Sequence, residues 1–263
     1  MLLGKGKGLP CSWRIKRGQK SVGSWLAIPN TTVAEIMSSV GYDWLVIDME
    51  HSSIGVPEAE ELIRIVSLHE LPVLVRVGTN DPHLIKRVLD EGASGIIVPM
   101  VNSRLDAKRA VAAAHFPPVG IRSVGLARAQ GYGIKFYEYQ AWAKKNTAVI
   151  IQIEHIDAVG NIADILNVKG ISGVIVGPYD LSASMGQAGQ FRHPAVIKAL
   201  KVISSAMKKT NIPFGFHVVH PDVGIALDKF KEGYSFVAFG VDFIYLSQSS
   251  RSYLDALRKK GRC

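Results

Sequence analysis

Several kinds of chemistry are missing from this chain of 263 residues. It has two cysteines, Cys11 and Cys263, one near each end. That spacing supports neither a disulfide framework nor a zinc site, so both are expected to be free peripheral thiols. No apolar run approaches the ~20 residues that cross a bilayer, so no membrane partner is expected. The opening MLLGKGKG returns to glycine and lysine after two leucines, and no secretory apolar region follows. A cytoplasmic protein is the expectation. Lysine neither lies within nor ends any of the apolar runs described below, which removes the obvious Schiff-base nucleophile. Serine hydrolysis lacks its elbow motif.

Negative charge is absent from the first twenty residues and scarce in the last thirteen, where Asp255 is the one acid. Residues 1–20 hold Lys5, Lys7, Arg14, Lys16, Arg17 and Lys20 and no acid, a net +6. Residues 251–263 carry +4, which leaves the body of this +9 chain at −1. A nucleic-acid surface would place its basic residues on the folded body, so a basic N-terminal extension and a basic C-terminal tail (251–263) are expected instead, with no nucleic-acid partner.

What the chain has is alternation. Eight short, β-branched apolar runs occur at 22–28, 42–48, 72–77, 94–100, 148–154, 173–177, 213–219 and 235–240. Their hydrophobicity is nearly continuous, as in parallel strands covered on both faces. Helical patterns fall between them at 31–40, 57–69, 81–91, 103–114, about 135–145, 158–167, 194–209 and 221–232. Asp81-Pro82 and His220-Pro221-Asp222 read as helix starts, and Gly41, Gly92, Gly170 and Gly233 as left-handed helix ends. With no break in composition, this pattern predicts an α/β fold of one domain over 1–263, a single (β/α)8 TIM barrel. The longest irregular stretch, 115–134, is expected to hang over the active rim.

In such a barrel the chemistry sits where strands end. Glu154 ends the fifth run and Asp180 follows the sixth through Gly177-Pro178. Two carboxylates on one rim suit a hard divalent cation. The alternative, that each caps the following helix, is reasonable for Asp180 and weak for Glu154. Asp48 and His51 are close enough in sequence for the carboxylate to orient the imidazole as a general base. Arg76, inside an apolar strand, needs an anionic partner, either Glu50 or a substrate carboxylate or enolate. Trp25 lies near the end of the first strand, and the seventh contains His217.

The segments GSWLAI, VIDMEH (46–51), LVRV (74–77), EGASGIIVPMVNS (91–103), PPVGIRS (117–123), IIQIEH (150–155) and GPYDLSASMG (177–186) resemble the HpcH/HpaI aldolase family of class II, pyruvate-dependent aldolases. The likeness runs over roughly residues 20–250. It implies a divalent metal (Mg²⁺, Mn²⁺ or Co²⁺) on Glu154 and Asp180. Pyruvate would bind that metal, Arg76 would stabilise the enolate, and His51 with Asp48 would act as base. Trp25 and Gln152 match substrate-pocket positions, and the backbone around Gly177, Pro178 and Tyr179 matches a carboxylate cradle. The implied reaction is reversible cleavage of a 4-hydroxy-2-oxo acid to pyruvate and an aldehyde. The implied assembly is a homo-oligomer, a hexamer built as a trimer of dimers that swap the last helix. Gly78, Ser123 and His155 depart from the family pattern, and all three are expected near the aldehyde end of the substrate. A carbon–carbon bond-forming synthase on the same scaffold is the alternative, with Arg122 and Arg128 of the long loop as candidates for its acceptor pocket.

Overall fold

The structure, a computed structural model, describes residues 9–13, 15 and 18–261. Lys5, Lys7, Arg14, Lys16, Arg17, Arg262 and Cys263 lie outside them. Eight strands form one closed parallel barrel in sequence order. They are β1 (Ser21–Leu26), β2 (Trp44–Asp48), β3 (Val73–Arg76), β4 (Gly95–Val98), β5 (Ala148–Ile153), β6 (Gly173–Val176), β7 (Phe214–Val218) and β8 (Phe236–Val241). Each predicted run contains one of them to within a residue or two. Gly41, Gly92, Gly170 and Gly233 all have φ between 96° and 102°, the left-handed helix end expected of them.

Side chains alternate along each strand between the lumen and the helical layer, and this alternation builds both cores. Outward residues such as Leu45, Ile47, Val73, Val75, Val149, Ile151, Val174 and Val176 pack beneath the helices. Inward residues, among them Trp44, Val46, Leu74, Ala148, Ile150, Ile175 and Phe236, fill the barrel. Trp13 closes the end where the strands begin. Its ring meets Phe236 edge-on at 5.2 Å and Trp44 at 6.3 Å, and it is buried. Part of the predicted N-terminal extension is therefore a hydrophobic plug.

Three expectations need correction. The stretch 115–134 does not cover the active rim. It follows helix Arg104–Ala114, so it starts from the opposite end of the barrel and packs against helix Pro82–Asp90. Arg122 reaches Asp90, the last residue of that helix, at 2.6 Å, and Arg128 donates to the Glu91 carbonyl. Second, residues 251–261 are not a tail but the second half of helix Asp242–Gly261. Arg258, Lys259 and Lys260 fall in its last turn, where cations complement the helix dipole. Third, a short helix, Pro178–Ser184, directly follows β6 where none was predicted.

Candidate active site

On β2, β3 and β5 the last inward positions are where polar residues begin. On β2 the inward series runs Trp44, Val46, Asp48; on β3, Leu74, Arg76; on β5 and just beyond it, Ile150, Gln152, Glu154. Period-two alternation thus brings these groups to one mouth of the lumen, the C-terminal end of the strands. They border a cavity of about 210 Å³. Nine of the ten predicted site residues line it: Trp25, Asp48, His51, Arg76, Gln152, Gly177, Pro178, Tyr179 and Asp180. The tenth, Glu154, is buried, with its carboxylate against Gly177 and Gln152.

Asp48 and Arg76 are register partners on adjacent strands. The guanidinium grips Asp48 with two parallel bonds, Nε to Oδ1 at 2.9 Å and Nη2 to Oδ2 at 2.6 Å. Its remaining Nη1 lies 3.2 Å from Glu50 Oε2. It also stacks 4.3 Å from the Trp25 ring. Burial works to raise the pKa of Asp48, but the bonds from Arg76 and from the backbone N–H groups of Glu50 and His51 hold it below its ordinary value. Here the expected Asp48–His51 pairing fails. Asp48 lies in the lumen and spends its oxygens on Arg76 and on backbone, whereas the His51 imidazole is exposed, with Glu50 as its nearest carboxylate at 3.7 Å. Nearness in sequence does not make the two side chains neighbours in direction.

Glu154 is held from two sides. Its Oε1 accepts from the Met100 backbone N–H at 2.7 Å, and its Oε2 accepts from Gln152 Nε2. Met100 adopts φ of 51°, a left-handed conformation costly for a residue with a Cβ, and thereby presents its N–H to the carboxylate. Nothing in the sequence announces that contact. A Cβ on Gly177 would fall 2.8 Å from Glu154 Oε2, so the close approach of β6 to the carboxylate requires glycine. Neither carboxylate caps a helix. Glu154 is followed by His155, whose Nδ1 accepts from Asp157 N as the cap of helix Ile156–Gly160. Asp180 lies in the first turn of helix Pro178–Ser184 and accepts no hydrogen bond from a described residue.

Burial raises the pKa of Glu154, with the charge of Asp180 adding to the shift. Burial pushes Glu50 up to about 7; Arg76 opposes this, while Glu154, Asp48 and Asp180 add to it. Glu50 Oε2 is buried and makes no hydrogen bond. Four carboxylates therefore surround one guanidinium, an excess of oxygen donors and negative charge that suits a hard cation. No three His, Cys, Asp or Glu residues among those described form a ready-made metal cluster.

The far wall is apolar: Ile175, Val219, Val241 and Phe243 complete it. The sequence had singled out none of these four. Ser123 and His155, expected near the aldehyde end, do not line the cavity. Arg122 and Arg128 do not line it either; Arg122 borders a separate cavity with His83 and Lys86.

Known proteins resemble this chain over most of its length. A family model described as HpcH/HpaI aldolase/citrate lyase matches residues 21–248. The chain is 36% identical to a pyruvate aldolase from Rhizobium etli over 91% of this chain and 93% of that one. It is 37% identical to a 4-hydroxy-2-oxo-heptane-1,7-dioate aldolase from Salmonella typhimurium, covering 90% of each. A solved HpcH/HpaI aldolase/citrate lyase family protein from Burkholderia cenocepacia superimposes with a TM-score of 0.87 at 31% identity, over 92% of this chain and 95% of that one.

Proposed function

The chain belongs to the HpcH/HpaI aldolase/citrate lyase family, and from that premise we propose that it is a divalent-metal-dependent aldolase. It cleaves a 4-hydroxy-2-oxo acid reversibly to pyruvate and an aldehyde. The observation that carries this reading is the group at the barrel mouth, buried Glu154 and Arg76 with the exposed Asp180 at its edge, where carboxylates outnumber positive charge.

Glu154 and Asp180 would hold Mg²⁺, Mn²⁺ or Co²⁺, all of which accept oxygen donors of this kind. When bound, the ion supplies Lewis-acid polarisation of the 2-oxo group. The chain's own groups do the rest. Arg76, fixed bidentately by Asp48, presents a preorganised positive charge to the oxygen on which negative charge develops as the C3–C4 bond breaks. Such a preorganised donor is worth ~10²–10³ in rate. At the start of helix Pro178–Ser184 the Gly177 N–H is taken by the Ile153 carbonyl and Pro178 has none, so the Tyr179 and Asp180 backbone N–H groups are the donors that suit the substrate carboxylate. Gln152 orients Glu154, and Trp25 closes the floor. His51, at the mouth and beside Glu50 rather than Asp48, is placed to exchange a proton with the 4-hydroxyl through water. The exposed Leu246, Tyr253 and Leu257 on helix Asp242–Gly261 support a homo-oligomer that covers this face. Arg122 and Arg128 pack against the end of helix Pro82–Asp90, away from the cavity, so they do not supply the acceptor pocket of the synthase alternative.

Exchange of the pyruvate C3 protons in D₂O, followed by NMR with Mn²⁺ and then with chelator, tests the reading without the right aldehyde. Metal-dependent exchange is expected. Folded, metal-loaded protein that leaves the methyl group unexchanged would overturn it.

A further inference from the structure

One buried carboxylate beside the cavity is held by backbone alone. Asp242 begins helix Asp242–Gly261 and is 4% exposed. Burying a carboxylate is costly unless hydrogen bonds replace its hydration. Oδ2 accepts from the N–H groups of Ala27 and Ile28, both at 2.9 Å, and Oδ1 accepts from that of Phe243 at 2.7 Å. The first two donors follow the end of β1, and the third belongs to the helix that follows β8. The carboxylate therefore clasps two segments some 215 residues apart in sequence.

The clasp lies where the barrel's own ladder slips. β1 and β8 pair regularly from Ser21/Phe236 to Gly23/Ala238, and then Trp25 pairs with Val241. Phe239 and Gly240 thus stand opposite Ser24 alone, which is a β-bulge. Its effect on side-chain direction shows in the lumen. Phe236 and Ala238 face inward at the regular spacing, and the next lumenal residue is Val241 instead of Gly240. Side chains stitch the bulge: Ser24 Oγ donates to the Gly240 carbonyl at 3.3 Å, and Tyr245 Oη donates to the Phe239 carbonyl at 2.7 Å. Val241 and Phe243 line the cavity from one side of this seam, and Trp25 lines it from the other. Phe243 is 47% exposed, so the backbone beneath it, more than packing, keeps its ring at the cavity.

We propose that Asp242 is a positioning residue for the aldehyde. Acting through Phe243, it holds the apolar wall of the mouth against the end of β1, where that wall receives the carbon chain of the aldehyde. This rests on the aldolase reading above, in which the polar side of the cavity belongs to pyruvate, and it names the element that binds the other product.

Steady-state condensation of pyruvate with propionaldehyde on Mn²⁺-loaded enzyme tests it. Small displacements of a binding wall are felt strongly, so Asp242→Ala is expected to raise the KM for propionaldehyde by ~10-fold or more and to change kcat by less than ~3-fold. Asp242→Asn keeps an oxygen for Ala27 and Ile28 and should raise KM less. A merely structural role has another signature: partial unfolding removes active enzyme, which lowers kcat and leaves KM unchanged. Phe243→Ala, at an exposed side chain, should raise the same KM with the fold intact. Because the carboxylate acts through that ring, the double variant should lie within about twofold of the weaker-binding single variant. If the alanine variant does not fold, the asparagine variant carries the same cycle. Unchanged KM in the Asp242 variant, or increases that multiply in the double variant, would overturn the proposal. A parent enzyme without aldol activity fails the aldolase reading by itself, and the clasp is then read by amide hydrogen exchange. Asp242→Ala should speed exchange at Ala27, Ile28 and Phe243 together, and exchange that stays slow at Phe243 overturns the clasp.

Discussion

Two buried arginines, one at each end of the barrel, make nearly the same local contacts and lead to different chemistry. Arg76 lies 2.6 Å from Asp48 and 4.3 Å from the ring of Trp25. Arg122 lies 2.6 Å from Asp90 and 4.5 Å from the ring of Phe116. What separates them is the surplus around each pair. At the rim, Glu50, Glu154 and Asp180 add negative charge that Arg76 cannot balance, and the group opens onto a cavity. At the opposite end Arg122 also holds Tyr139 Oη at 2.9 Å, whose hydroxyl donates to the Leu89 carbonyl at the end of helix Pro82–Asp90. There the charge ties a loop to a helix terminus. A buried ion pair is thus a tie wherever its charges cancel, and a candidate site where they do not.

The same substitution at both positions should separate the two roles most sharply. Lysine keeps the charge but loses the planar fork and the aromatic stack. Arg76→Lys is expected to slow metal-dependent pyruvate exchange by ~10²-fold while shifting the melting temperature by a few degrees at most. Arg122→Lys should leave exchange within about twofold and reduce stability by ~2–3 kcal/mol, read as a lower melting temperature. Were both variants to lose activity in parallel, the division between tie and site would fall.

The sequence carried the barrel well because parallel strands buried on both faces are near-continuous apolar runs, and such runs need no tertiary information to be seen. Period-two alternation then carried Asp48, Arg76, Gln152 and Glu154 to one mouth. Position along the strand was legible; side-chain partnership was not. Asp48 and His51 are three residues apart, yet one lies in the lumen and the other at its lip. The stretch 115–134 belongs to the far end for a similar reason: length and irregularity mark it as a loop, but the helix Arg104–Ala114 has already carried the chain away from the rim. The Met100 N–H on Glu154 left no trace, since a backbone donor at φ of 51° has no residue signature outside glycine and asparagine.

Gly177 tests the crowded end of the same contrast. An added methyl group would sit 2.8 Å from Glu154 Oε2 and 3.0 Å from its Cβ, so the carboxylate has to move. Gly177→Ala should weaken Mn²⁺ binding by about tenfold, ~1.4 kcal/mol, with the fold intact. Titration of Mn²⁺ by water-proton relaxation would measure it, and unchanged affinity would separate the glycine from the metal site.

The smallest expected effect isolates the uncancelled charge itself. Glu50 titrates near 7 in the folded protein, against an ordinary value of 4.5. Between those values the folded state holds a proton that the unfolded chain has released. Stability therefore falls as pH rises from about 4.5 to 7 and stays at its lower level above that range. Glu50→Gln removes the titration and keeps the shape. Metal-free Glu50→Gln should melt a few degrees above the parent at pH 8, and the gap should close toward pH 5, on the scale of ~2–4 °C per kcal/mol. Arg122 has no such uncancelled neighbours, so Asp90→Asn at the other end should destabilise the protein at pH 8 instead. A gain at one end and a loss at the other, from the same exchange of carboxylate for amide, would show that the rim holds charge beyond what its own arginine balances.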